Sequence, residues 1–177
     1  MNNLDIVVAY MICKQQKIYG KVALQKLLYF VKEVGVPIEA NYFMHIFGPF
    51  SLDIANRYRV FTTKGILVKS QENWGESFIA GENTEEIKNT GRDFLNLYQE
   101  KIDFVLNKVG ELYPIDLELY ATIHYIIKEH VTKGQRINEI KEVEVVREVV
   151  AEKGPKFRES DVKKCYSDIM KWFLQEE

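Results

Sequence analysis

A chain of 177 residues, 46% hydrophobic and 28% charged, suits one globular domain or two small ones with a sizeable core. Its formal net charge of −2 excludes a polycation built to coat nucleic acid. The lack of an apolar run of about 18 residues excludes a membrane-spanning helix, and Asp5, with no basic cluster before an apolar stretch, argues against a secretory leader.

The first helix is expected from Leu4 to Gln16, with Leu4, Val7, Val8, Met11 and Ile12 on one face. Gly20 interrupts the chain. Lys21 to Val34 forms the second helix, its apolar face made by Leu24, Leu27, Leu28, Val31 and Val34. Gly35 suits a left-handed terminus and Pro37 blocks resumption. Tyr42 to Phe47 is aromatic and apolar, as in a short strand, and Gly48-Pro49 is expected to turn it. Ser51 then caps a third helix over Leu52 to Thr62, with Asp53 in its positive first turn and Ile54, Tyr58 and Phe61 facing inward. Ile66 to Ser70 and Ser77 to Ala80 pair as a hairpin around Asn73-Trp74-Gly75.

The remainder is helical. Thr84 caps a helix that either breaks at Gly91 or continues to Val109. Pro114 opens another, which carries Leu117, Tyr120, Ala121, His124 and Ile127. Ile137 to Glu152 follows, the least helical in composition because its valines are β-branched. Gly154-Pro155 ends it, and Ser160 caps the last helix. The expected fold is therefore α+β and mostly helical. A winged-helix-like unit of helices and a β-hairpin wing spans 1–82, packed on a helical half spanning 83–177. The last three helices also suit a second trihelical unit of helix-turn-helix type.

Two stretches, Leu24-Gln25-Lys26-Leu27-Leu28-Tyr29-Phe30 and Phe47-Gly48-Pro49-Phe50-Ser51, resemble the YwgA-like proteins and the broader SocA-like antitoxin (Panacea) domains. Ala121-Thr122-Ile123-His124-Tyr125 and Gly154-Pro155-Lys156-Phe157 are also similar to the YwgA-like group, so the resemblance covers most of the chain. Phe50 stands where tyrosine is commoner. The resemblance implies a small cytoplasmic protein of bacterial, archaeal or phage type. Its SocA-like relatives act as antitoxins or adaptors by binding a partner protein, and it carries over no catalytic residue and no cofactor.

The residues themselves offer two kinds of surface. Gln25, Lys26 and Tyr29 point partly away from the leucines of their helix and are candidates for partner contact. Trp74, at the hairpin tip, is a candidate aromatic anchor. Residues 1–82 carry a net charge of +2 and residues 83–177 a net charge of −4. The segment Ile54 to Gln71 holds four cations and no acid. There Asn56 and Arg57 are chemically able to read bases, while Arg59, Lys64 and Lys69 suit phosphates. Asp53, Glu72 and Glu76 oppose that second reading.

Cys13 and Cys165 lie far apart with no CxxC, which favours two reduced thiols over a disulfide. His45, His124 and His130 have no cysteine or paired carboxylate at ligand spacing, so no metal site is expected. No nucleophile elbow, zincin motif, dinucleotide fingerprint or P-loop occurs. The expectation is a non-enzymatic module of antitoxin or adaptor type. Its partner would be a protein such as a toxin. The alternative is a winged-helix DNA-binding regulator, including one that represses its own operon. The long amphipathic helices also allow a homodimer.

Overall fold

The computed structural model describes residues 2–73 and 75–175. Eight helices and five short strands follow one another as α1 (Asn3–Gln15), β1 (Lys17–Ile18), α2 (Gly20–Glu33), β2 (Phe43–His45), β3 (Gly48–Phe50), α3 (Leu52–Thr63), β4 (Leu67–Glu72), β5 (Gly75–Ala80), α4 (Thr84–Thr90), α5 (Arg92–Val109), α6 (Pro114–Thr132), α7 (Glu142–Lys153) and α8 (Glu159–Phe173). The chain is thus α+β and mostly helical, with two small antiparallel sheets ordered β1-β5-β4 and β2-β3. Among the described residues no helix is long and apolar enough to cross a membrane.

Helix α1 begins where Asn2 Oδ1 accepts the Leu4 N–H at 2.8 Å. Every residue from Leu4 to Ile12 is buried, so the helix is covered on all sides and not along one stripe. Helix α2 is buried almost as completely, from Ala23 to Val31. It packs against β3, β5, α5 and α6. The same hydrophobic cluster includes Val8, Leu28 and Phe61 from the first half and Ile102, Ile123 and Ile169 from the second. One core therefore spans residues 82 and 83. At that joint the Thr84 hydroxyl accepts the Gly81 N–H at 2.8 Å and donates to the Ile66 carbonyl at 2.7 Å.

Two local expectations are corrected and one strand is added. Gly48-Pro49 is not the turn: the chain reverses at Ile46-Phe47, and Gly48 and Pro49 lie in β3, opposite His45 and Met44. Proline is tolerated there because a two-stranded ladder has free edges. Ser160 lies inside α8, whose N-cap is Arg158, braced by its own ion pair to Asp161 at 2.9 Å. Strand β1 arises from Lys17-Ile18, too short for any periodicity to reveal, and pairs with Ile79 and Phe78 of β5.

At Gly91 the chain divides into α4 and α5. A Cβ there would fall 2.3 Å from Ile6 Cγ2, so only glycine lets the bend seat against α1. The expected helix over Ile137 to Glu152 is a 3-10 turn at Ile137–Glu139 followed by α7, whose buried residues are Val145, Val146 and Val149.

Candidate functional site

The two stretches that stand out in the sequence form a single joint. Gln25 Nε2 donates to the Ser51 carbonyl at 2.9 Å, and the Ser51 N–H donates to Gln25 Oε1 at 3.0 Å. This reciprocal pair fixes Ser51, whose Oγ in turn accepts the Ile54 N–H at 3.4 Å to cap α3. One residue on, Lys26 Nζ donates to the Pro49 carbonyl at 2.7 Å. Tyr29 meets His124 Nδ1 on α6 at 2.7 Å. Burial holds the Tyr29 phenol well above its ordinary pKa and pulls His124 down to about 3, with Lys128 adding to the latter. The two rings thus meet as neutral groups at neutral pH. Gln25, Lys26 and Tyr29 are 2%, 1% and 1% exposed. They point away from the leucine face, as expected, but that side of α2 is also covered. Trp74 lies outside the described residues.

What the joint holds up is the β2-β3 hairpin, which packs on α2 and α6. Glu118 of α6 is buried beneath it and receives Lys153 at 3.0 Å and Lys156 at 2.7 Å. Lys153 also donates to the Ile46 carbonyl at the hairpin turn, at 2.7 Å. Two buried ammonium groups, Lys26 and Lys153, therefore grip the hairpin by its backbone, one in β3 and one at the turn. Gly48 lets it sit this deep. Its φ is +81°, and a Cβ there would lie 2.8 Å from Thr122 Oγ1.

The outer side of the hairpin is apolar. Ile46 is 68% exposed and Phe47 46%, and Phe43 is exposed beside them. The His45 ring lies 5.2 Å from that of Phe50, and Phe43 meets Phe50 edge-on at 5.8 Å. Between the hairpin and the helices lies a groove of about 380 Å³. It is lined by His45, Phe47 and Phe50 of the hairpin, Lys21, Val22, Gln25 and Lys26 of α2, and Ala55 and Tyr58 of α3. The charged residues of this lining are lysines alone. Lys21 lies over the Tyr58 ring at 5.5 Å, and Lys156 over Phe47 at 5.1 Å. Burial pushes the Tyr58 hydroxyl up to about 12, so it stays a neutral donor. A larger recess of about 650 Å³ beside α1 and α5 is polar, lined by Lys14, Asp103, Asn107 and Lys108 among others. It lacks the apolar walls that a docking groove needs.

The acidity of Lys26 is also strongly altered. Burial first, with Lys153 and Lys156 adding to it and Glu118 opposing, lowers its pKa to about 7. In the unfolded chain the same lysine titrates near 10.4. Between about pH 7 and 10.4 the unfolded state then binds more protons, so this group's contribution to stability rises with pH across that window. Below it, folding carries the full burden of a buried charge. Lys26→Met removes this dependence. Urea unfolding is expected to show the variant's stability relative to wild type higher at about pH 6 than at about pH 9.

The basic candidates on α3 and beyond are mostly engaged internally. Asp5 on α1 is fully buried, and its carboxylate takes Arg57 on one oxygen and Lys64 on the other, the latter at 2.7 Å. Lys69 pairs with Glu76 at 2.7 Å across the β4-β5 hairpin. Asn56 and Arg59 are exposed on α3, and Arg59 has no ion pair among the described residues.

Sequence reasoning missed Glu118, Lys153, Phe47 and Tyr58 as site residues. The available signal for Glu118 was an acid inside an apolar run, Leu117 to Ala121. Cys13 and Cys165 are both free. Among the described residues no group of three or more His, Cys, Asp or Glu could hold a metal ion. The chain matches no family model and no curated protein.

Proposed function

We propose that this chain is a non-enzymatic protein-interaction module of antitoxin or adaptor type, and that its partner docks on the groove beside the β2-β3 hairpin. The observation that carries this reading is the hairpin itself. It presents Ile46 and Phe47 to solvent while buried lysines hold its backbone in place. Exposed apolar side chains on a braced support are what a docking surface requires, because little ordering remains to oppose association. The ionisable groups beneath serve that bracing: Lys26 holds Pro49, Lys153 holds Ile46, and Glu118 pairs with both Lys153 and Lys156. The antitoxin or adaptor assignment comes from the resemblance of the Leu24–Phe30 and Phe47–Ser51 stretches to SocA-like domains. Two free thiols suit a cytoplasmic setting.

A second reading, DNA binding, is favoured by one observation. The order α1-β1-α2-α3-β4-β5, with the β2-β3 hairpin inserted before α3, and the sheet order β1-β5-β4 support a winged-helix reading, in which α3 would take the place of the recognition helix and β4-β5 that of the wing. Asn56 and Arg59 would then be its readers. The pairing of Arg57 and Lys64 with Asp5 weighs against it, since both side chains are held toward a buried carboxylate of the same chain.

The test is co-expression with the product of the adjacent gene. A complex that survives size-exclusion chromatography, with slowed amide exchange over residues 43–50, is the expected result. Failure to recover any such complex counts against the interaction reading. Retardation of the chain's own upstream DNA that weakens steeply with salt and is lost in Arg59→Ala would favour the second.

A further inference from the structure

We propose that the groove beside the β2-β3 hairpin takes a short acidic, aromatic-rich segment of the partner, with a bulky apolar side chain inserted between Phe47, Phe50 and Tyr58 and a neighbouring carboxylate set against Lys21 and Lys156. This rests on the protein-interaction reading above and names the chemistry of the partner.

The argument is one of shape and charge together. The groove holds about 380 Å³, room for one or two large side chains and not for a folded element. Its walls are aromatic, which suits an aromatic or leucine anchor through stacking and area burial. Its electrostatic character has one sign. Lys21 and Lys26 belong to the lining, and Lys156 stands over the Phe47 ring at the edge. Beneath, Glu118 pairs with both Lys153 and Lys156, two cations to one carboxylate, so positive charge remains in excess. A carboxylate on the incoming segment offsets that excess where water is being excluded, and there a charge pair is worth more than at an open surface. A basic segment would be repelled by the same groups.

A nucleic-acid strand is the other anionic occupant with stackable rings. The structure favours a peptide. Most of the basic side chains that would follow a phosphate backbone away from the groove are tied into ion pairs within the chain, Arg57 and Lys64 with the buried Asp5 and Lys69 with Glu76, which leaves Arg59.

Three fluorescein-labelled probes decide the matter by anisotropy: a short peptide alternating aspartate with phenylalanine and leucine, its twin with lysine at every aspartate, and a single-stranded DNA oligonucleotide of mixed sequence. The acidic peptide is expected to bind about tenfold or more tightly than either other probe. Phe47→Ser and Lys21→Glu are each expected to weaken it about tenfold. Both positions are exposed, so their unfolding midpoints should match the wild type, and that control separates lost contact from lost fold. Equal binding of the two peptides, tighter binding of the oligonucleotide, no binding of the acidic peptide, or indifference to both substitutions overturns the proposal. A co-purified partner that binds Phe47→Ser and Lys21→Glu as well as wild type would sink this proposal and leave the interaction reading standing. Absence of any partner complex with wild type would remove the interaction reading instead.

Discussion

Glu118→Ala is expected to lower the unfolding free energy by about 3–5 kcal/mol, the cost of stranding buried charge whose partner has gone. The Glu118 and Lys153 side chains are 3% and 2% exposed, so Lys153 has no route to water without moving the hairpin it holds. Lys156 is less constrained, with a side chain 31% exposed, and can turn outward. The double variant Glu118→Leu/Lys153→Met removes both buried charges and is expected to recover most of the loss, because apolar replacement of a whole buried pair is often neutral. Urea unfolding of the two variants and the wild type measures this. A single variant within about 1 kcal/mol of wild type would mean that the pair is solvated and does not brace the hairpin.

The second large effect is expected at Gly48→Ala. Two costs add there. The backbone has φ of +81°, which disfavours any residue with a Cβ by about 1–2 kcal/mol. The new methyl would also lie 2.8 Å from Thr122 Oγ1 and 3.3 Å from the Glu118 carbonyl, and the latter belongs to a helix backbone that cannot yield. A total of about 2–4 kcal/mol follows, by differential scanning calorimetry or denaturant unfolding. Gly134→Ala is the matched control. It too has positive φ, at +95°, but nothing lies within 4 Å of its Cβ, so only the backbone cost applies. If the two variants lose the same stability, the hairpin is not pressed against α6.

How these elements came to be legible, or not, follows from the distance over which each is determined. Helix α3 starts at Leu52 after Ser51 as expected, because a cap and its first turn are neighbours in sequence. The break at Gly91 stayed undecided, since its cause is Ile6, far back in the chain. Gln25, Lys26 and Tyr29 show the same limit at the candidate site. A 3.6-residue pattern identifies the leucine face of α2 and leaves these three on the other side. It cannot register that the other side is covered as well. Their partners Ser51, Pro49 and His124 lie 26, 23 and 95 residues away. Arg57, a candidate base reader by its chemistry, shows the same limit: Asp5, which claims it, stands 52 residues earlier on another helix. The exposed apolar surface was hidden by the opposite error. Phe47 and Phe50 looked like parts of a strand and a turn, whereas the hairpin turns two residues earlier and leaves Phe47 on the rim of a groove.

The burial of α2 on every side has one more consequence. A segment ending near residue 82 would keep this helix but lose α5 and α6, which cover much of its surface. Tyr29 would be parted from His124, and Lys26 would lose the nearby charge of Glu118. Neither portion of the chain is therefore a transferable cassette. A chimera that borrows the groove must bring along the C-terminal helices that keep it in shape.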